Sequence, residues 1–368
     1  VTIRKFCAQL YAAALIASLS TGMILVMVKS ALHQRQVSQA EKRELTLIPE
    51  FPRNLAQWEQ FPPKFEAFFN DNFGFRNDLI RMNFKTAALV GSIPSDRVFK
   101  GKDGWLFSSE DRAIDLYENA LPLSETALER WKTELKARKD WLASQGVGYA
   151  YVAAPEKYSI YDDYMPRYLR KKRAFSQYDQ IAEATKNTDV NFIDLRPGLV
   201  AEKNTETLYL HDDTHWNDRG AYLAYREIIE GIGKQIDVGA AQLTQDNFHL
   251  RERGPGDLAV IAALSRKETA PTLKLETLPC PSPIVEDQQL APYYSVFMRT
   301  RCDGAKHKLL LFRDSFSIAL MPLLAQSFAE VVAVWKEPTI EDIKAMTLKE
   351  RPDFVMEERA ERKLNRAP

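Results

Sequence analysis

Apolar and polar positions change their spacing several times along this chain, and each change marks an element. From Phe6 to Val28 no residue is charged. As a helix rising roughly 1.5 Å per residue this segment spans about 35 Å, enough to cross a bilayer. Gln, Lys, Arg and Glu then dominate as far as Pro49 and read as a tether. Phe65, Phe68, Phe69, Phe73 and Phe75 follow near helical spacing, in a stretch interrupted by Pro52, Pro62 and Pro63. They predict an amphipathic collar packed on the main domain, with a turn at Gly74; a membrane-surface or partner-binding face is the alternative.

From about Pro94 the pattern becomes that of one α/β domain. Lys102-Asp103-Gly104 forms a turn before Trp105-Leu106-Phe107, and Leu128, Trp131, Leu135 and Leu142 mark one face of a helix that ends at Gly146. A core strand runs from Tyr149 to Ala154. Helical patterns near 173–187 and 218–232 alternate with strands near 191–194 and 308–313. Beyond them come a helix to about Phe328, a strand from Val331 to Val334, another helix, and a last strand from Asp353 to Met356. This alternation predicts a mainly parallel sheet covered by helices on both faces. Residues 237–305 show few strand patterns and read as an insertion over the site. The expected organisation is thus a membrane anchor at 1–28, a tether and collar at 29–90, and an α/β domain at 91–368.

Charge and cysteine content refine the setting. The 50 Lys and Arg balance the 50 Asp and Glu, so no basic bias points to nucleic acid. Charged residues at 27% and apolar residues at 45% are those of a folded globular protein. Arg4 and Lys5 before the apolar segment favour a cytoplasmic N-terminus and an exported body, an asymmetry that Lys29 and Arg35 weaken. With no convincing small-x-small cleavage motif, an uncleaved anchor is favoured over a cleaved signal peptide. Cys280 and Cys302 bracket a loop-like stretch containing Pro281, Pro283 and Pro292. In an oxidising compartment they would pair, closing a loop worth roughly 3 kcal/mol; free buried thiols are the alternative.

The chemistry gathers at two motifs. Asp314 and Ser315 end the apolar run Leu309-Leu310-Leu311-Phe312-Arg313, which is how a strand lifts a hydroxyl to the carboxyl edge of a sheet. A hundred residues upstream lies His211-Asp212-Asp213-Thr214-His215-Trp216. Serine is a poor nucleophile unless an imidazole takes its proton and a carboxylate orients that imidazole. Asp-Ser after a strand is also an ordinary helix N-cap. The set His211, Asp212, Asp213 and His215 suits zinc or iron as well. No cofactor is expected. Trp105, Trp216, Tyr293 and Tyr294 are candidate sugar-stacking rings, although most aromatics in a domain are core. Asp257, in Gly254-Pro255-Gly256-Asp257-Leu258, reads as a turn residue able to line the pocket.

These motifs, in their order, resemble the SGNH-hydrolase-like family of bacterial alginate O-acetyltransferases. The resemblance runs from about Phe68 to Leu364. It takes in Asn70-Asp71-Asn72-Phe73-Gly74-Phe75-Arg76, Gly101-Lys102-Asp103-Gly104-Trp105-Leu106-Phe107, Pro155-Glu156-Lys157 with Ile160-Tyr161, and Asp213-Thr214-His215-Trp216-Asn217 with Gly220. Asp314-Ser315-Phe316, Arg351-Pro352-Asp353 and Glu358-Arg359 complete it. It implies an SGNH-hydrolase-like three-layer α/β/α sandwich, preceded here by one transmembrane helix. It also implies Ser315 as nucleophile, His215 as general base and Asp213 as its orienting acid, with Asp212 the alternative. Arg313 stands where many serine hydrolases carry Gly, which leaves the oxyanion hole in question beyond the Ser315 amide.

The implied activity is periplasmic acetylation of an exopolysaccharide, alginate or similar, through an acetyl-serine. The implied partner is a membrane-bound O-acyltransferase at the inner membrane that supplies acetyl groups. Some members add a C-terminal carbohydrate-binding module; none is expected before Pro368, so polymer grip falls to the main domain or a partner. An acetylesterase and a non-catalytic scaffold of the secretion machinery are the competing functions.

Overall fold

The computed structural model describes residues 37–38, 43–73, 82, 86, 95–262, 264–281, 284–291 and 294–368. Two compact units separate: residues 1–95 with 260–264, and residues 96–259 with 265–368. Among the described residues no helix is long and apolar enough to cross a membrane. The apolar segment 6–28 and the turn at Gly74 lie outside them.

In the first unit the collar is one helix, Leu55–Asn72, with Asn54 as its N-cap accepting from the Gln57 amide. Pro62 and Pro63 sit inside this helix rather than ending it. Each removes an N–H that would have bonded one turn back, so the helix persists with two ladder bonds missing. Its aromatic rings form a chain in which Phe51 meets Trp58, Trp58 meets Phe61, and Phe61 stacks on Phe65. The far end is tied down where Asp71 accepts from the Thr46 amide and hydroxyl.

The second unit is built on seven strands: β1 (Gly148–Ala154), β2 (Phe192–Asp194), β3 (Ile284–Ala291), β4 (Tyr294–Arg301), β5 (Lys308–Arg313), β6 (Glu330–Trp335) and β7 (Phe354–Ala360). Their spatial order is β2-β1-β7-β5-β6-β4-β3. The first five are parallel neighbours, with Leu311 of β5 facing Met356 of β7 and Ala333 of β6. β4 runs antiparallel to β6, and β3 antiparallel to β4. The sheet is therefore mixed. The 237–305 stretch, expected to hold few strands, contributes this edge hairpin, and Cys280 and Cys302 are disulfide-bonded across its open end with Cα atoms 5.6 Å apart.

Alternation along the strands explains the layers. Ala150, Val152, Leu309, Leu311 and Met356 face one core, shared with α3 (Asp218–Ile232) and α4 (Ser317–Ser327). Tyr149, Tyr151, Leu310, Phe312 and Val355 face the other, shared with α1 (Glu125–Ser144), α2 (Gln177–Lys186) and α5 (Ile340–Glu350). Strands covered on both faces read as continuous apolar runs, which is why β5 was plain in the sequence. The edge strands are half polar, Ile-Val-Glu-Asp-Gln-Gln against Phe-Met-Arg-Thr-Arg, and carry no such signal.

Outside the sheet, Val98–Lys100 pairs with Leu106–Ser108, and Phe248–Arg253 with Glu268–Leu273. The short helix Asp257–Ile261 falls between the second pair. Trp105 and Trp216, considered above as sugar platforms, are 3% and 2% exposed and belong to the core. Trp105 stacks on Tyr164 and Tyr161, and Trp216 packs edge-on against Phe316. The side chains of Tyr293 and Tyr294 lie outside the described residues.

Candidate active site

The parallel strands β1, β5 and β7 end on one edge of the sheet, and the site is assembled there. Beyond β5 the chain turns through Asp314, Ser315 and Phe316 into α4. Asp314 shapes the turn from both sides: Oδ1 accepts the Phe316 amide at 2.9 Å and Oδ2 accepts the Ala360 amide at 2.7 Å. Glu358, near the end of β7, accepts the Asp314 amide at 3.2 Å and the Ser317 hydroxyl at 2.7 Å on one oxygen. Burial, then the neighbouring Asp314, push the Glu358 carboxyl well above the usual range, favouring its neutral form. Arg313 does not crowd the turn, because its guanidinium lies over the Trp335 ring, 4.6 Å from the centroid.

The other half comes from the loop before α3. Asn217 caps that helix by accepting the Arg219 and Gly220 amides, fixing where the loop ends. Gly220 is required by contact, since a Cβ there would lie 2.3 Å from the Leu208 carbonyl oxygen. The Trp216 indole N–H donates to the Phe316 carbonyl at 3.1 Å, joining the loop to the serine turn. This juxtaposition sets His215 Nε2 2.8 Å from Ser315 Oγ. On the far side of the ring, His215 Nδ1 is 2.7 Å from Asp213 Oδ1. Asp213 accepts Nδ1–H, leaving Nε2 free to accept the serine proton.

Of the two candidate acids, the structure brings Asp213 to the histidine. Asp213 Oδ1 also accepts the His215 amide, and Oδ2 accepts the Asp257 amide at 3.0 Å. Burial opposes its charge, but these bonds and the imidazole outweigh it and hold the carboxyl well below the ordinary value. Asp212 turns away, accepts the Gly256 amide at 3.2 Å, and is pushed up to about 6 by burial and the charge of Glu268. A Cβ at Gly256 would lie 2.5 Å from the Asp212 carbonyl oxygen, so only glycine passes there. For His215, burial lowers the pKa, and the hydrogen bond and charge of Asp213 with the charge of Asp257 more than reverse that; the net shift is upward.

Asp257 is more than a turn residue. Its carboxylate accepts the Thr214 amide at 2.7 Å and hydroxyl at 3.0 Å, and its Oδ2 lies 3.8 Å from His215 Nδ1. The metal set considered from the sequence does not converge. His211 bonds Glu268 at 2.6 Å, and Asp212 faces Gly256. Asp213, His215 and Asp257 do offer one donor atom each within 4.8 Å of one another. Asp213 is hydrogen-bonded to His215 and to main-chain amides, and Asp257 to the Thr214 amide and hydroxyl. Sequence reading missed the parts played by Asp257, Glu358 and Lys157; the only signal was their presence in the quoted motifs or beside a Gly-Pro-Gly turn.

A serine hydroxyl, an imidazole and an acid in this order can carry proton transfer to and from a serine nucleophile. The Ser315 N–H donates to no group among the described residues and lies at the entry to α4, placed to receive developing negative charge.

Comparison with known proteins agrees with this arrangement of fold and motifs. A family model described as SGNH hydrolase-like domain, acetyltransferase AlgX, matches residues 98–350. No curated protein matches the chain. Among solved structures, Bacillus cereus PatB1 with a sulfonyl adduct aligns with a TM-score of 0.52 at 17% identity, covering 74% of this chain and 96% of that one. A DHHW family protein from Eubacterium siraeum aligns at 0.49 and 16% identity, over 73% and 92%. The O-acetyltransferase domain of Pseudomonas putida AlgJ aligns at 0.44 and 19% identity, over 73% and 92%. At such identities the likeness to PatB1 speaks for the fold alone.

Proposed function

Because the chain belongs to the family of SGNH hydrolase-like acetyltransferase domains of the AlgX type, we propose that it transfers acetyl groups to hydroxyls of an exopolysaccharide through an acetyl-serine on Ser315. The observation that carries this reading is the line from Ser315 Oγ to His215 Nε2 and from Nδ1 to Asp213, with spacings of 2.8 and 2.7 Å. Ser315 Oγ attacks the acetyl carbonyl carbon of an ester or thioester while its proton passes to His215 Nε2. The oxyanion faces the Ser315 amide. Collapse breaks the bond to the donor's oxygen or sulfur, which leaves with the proton from His215. A sugar hydroxyl then gives its proton to Nε2 and attacks the acetyl-serine, and Ser315 Oγ leaves reprotonated.

An exported, periplasmic domain tethered at the inner membrane is the setting we infer. The disulfide between Cys280 and Cys302 and the uncharged segment from Phe6 to Val28 support it. A membrane-bound O-acyltransferase is the acetyl donor consistent with that setting, as the tether would raise the local concentration of one for the other. The polymer's identity, alginate included, is left to the acceptor assay.

Mass spectrometry after incubation with a small activated acetyl ester tests the proposal. The wild type should gain one acetyl group on Ser315. Ser315→Ala should gain none there, and His215→Ala should acylate slower by roughly 10⁴-fold or more. Added oligosaccharides should become acetylated; release of acetate alone would make the protein an esterase. A folded protein that never acylates Ser315 sinks the reading.

A further inference from the structure

Beneath the loop that carries Asp213 and His215 lies a buried cation outside the mechanism above. Lys157 follows the carboxyl end of β1 and is 2% exposed. Its Nζ donates to the carbonyl oxygens of Leu210 at 3.0 Å, His211 at 3.1 Å and Asp213 at 2.6 Å. An ammonium has three N–H bonds, and three carbonyls use all of them. The rings of Trp105 and Phe107 flank the same nitrogen, at 5.6 and 5.3 Å to their centroids. Main-chain bonds reach this loop at three points: the Leu106 amide donates to the His211 carbonyl, the Ala259 amide to that of Asp212 at 3.0 Å, and the Leu210 amide to that of His215 at 3.2 Å, which leaves the Leu210 and Asp213 carbonyls to Lys157.

We propose that Lys157, in its charged form, is a positioning residue that fixes the 210–213 loop so that Asp213 and His215 are presented to Ser315. The inference rests on the acetyl-serine reading and gives a role to a residue that the motif order contains without one and that lies outside the Ser-His-Asp line. A neutral amine has two N–H bonds and a lone pair, so it would release one of the three carbonyls and repel it; the His211 carbonyl keeps the Leu106 amide, whereas those of Leu210 and Asp213 have Lys157 as their donor. Loss of the proton therefore loosens the loop at its contact with the acid that orients the histidine. A misplacement of about 1 Å at such a point costs on the order of a hundredfold in rate.

The groups facing Lys157 are Asp213 and Asp212 from the 210–213 loop, Asp257 from the short helix, and Glu268 from the following strand, with the His211 imidazole bonded to Glu268. Burial lowers the lysine's pKa, the four carboxylates raise it, and burial prevails, leaving it at about 8. The sign of the linkage separates positioning from bulk stability. Between about 8 and the ordinary lysine value, the unfolded chain binds more protons at this residue than the folded one, so this group makes the fold more stable as pH rises. Activity should fall over the same interval.

The test follows covalent labelling of Ser315 by a small sulfonyl fluoride, and acetylation by an activated ester, in the full-length protein from pH 6 to 10. Wild type, Lys157→Arg and Lys157→Met are compared, with thermal unfolding recorded at each pH. The wild-type rate should fall through pH 8 with no drop in unfolding temperature. Lys157→Met should be slower by about a hundredfold at pH 7 and lack that limb. Lys157→Arg, charged throughout, should lack it too. A labelled wild type with a level rate through pH 9, or a folded Lys157→Met within about threefold of wild type, overturns the assignment while leaving the acetyl-serine intact. A wild type that resists labelling at Ser315 overturns both.

Discussion

The serine turn and the histidine loop meet at the 2.8 Å contact of Ser315 with His215 and at the bond from Trp216 to the Phe316 carbonyl, but they are held in different ways. The turn hangs between β5 and β7, and its anchors are the Ala360 amide and the carboxyl of Glu358 at the end of the neighbouring strand. The loop is no part of the central sheet, and its main-chain bonds come from Leu106, from Ala259 and from Leu210 across to His215. It depends on side chains that arrive from elsewhere: Lys157 after β1, Asp257 from a short helix, and Glu268, which accepts the His211 amide. Sheet register is set by hydrophobic burial and tolerates the loss of one polar bond, whereas a loop pinned by three remote side chains loses its shape with any of them. The nucleophile half should thus be the more robust, and the base half the more sensitive to pH and to single substitutions.

Asp213→Asn gives the largest separation between the halves. It keeps the shape but loses the charge that selects the Nδ1–H tautomer, so acylation of Ser315 should slow by roughly 10⁴-fold with unfolding temperature nearly unchanged. Asp212→Asn serves as its control, because Asp212 bonds the Gly256 amide and not the imidazole; a loss within about threefold is expected. If acylation kinetics rank the two in the opposite order, the acid has been misassigned.

A smaller effect comes from pH. His215 must be neutral to take the serine proton, and Asp213 and Asp257 hold its pKa above the ordinary 6.5. The acid limb of the acylation rate should therefore have its midpoint above pH 6.5, falling about tenfold per unit below it. In Asp213→Asn that midpoint should move down. An unmoved midpoint would mean that the limb reports some other group.

Glu358→Gln should do least. The amide keeps an acceptor for the Asp314 N–H and the Ser317 hydroxyl, and it resembles the neutral form that burial favours for this carboxyl. Near-wild-type acylation is expected, while Glu358→Ala should cost about 1–3 kcal/mol in denaturant unfolding for the groups left unpaired. Because the folded pKa of Glu358 is raised, its contribution to stability is full below the ordinary glutamate value and fades as pH rises through the folded one. Glu358→Gln should flatten that slope.

How far each half could be read from the sequence follows from the same contrast. The run from Leu309 to Phe312 is apolar because both faces of β5 are covered, and the Asp-Ser that follows needed only local pattern to be noticed. The edge strands β3 and β4 escaped notice because one covered face leaves alternate positions free to be polar. Trp105 and Trp216 could be named as candidate sugar platforms but not settled as core: ring chemistry is visible in sequence, whereas whether a ring is covered by Tyr161 or by Phe316 is not. The choice of Asp213 over Asp212 came from resemblance. In the structure it follows from the turn that lets Asp213 accept the His215 amide while Asp212 meets Gly256.

By itself, then, the sequence determined the alternation of helices with buried strands, the serine at a strand end and the short list of bases, because five histidines leave few choices and burial writes its period into neighbouring residues. Tertiary structure alone decided which acid meets the imidazole, which lysine and which second aspartate hold it there, and which aromatics are core. Those outcomes depend on residues 40 to 100 positions apart arriving within 3 Å of one another. No local spacing encodes a distance of that kind; packing of the whole sheet does.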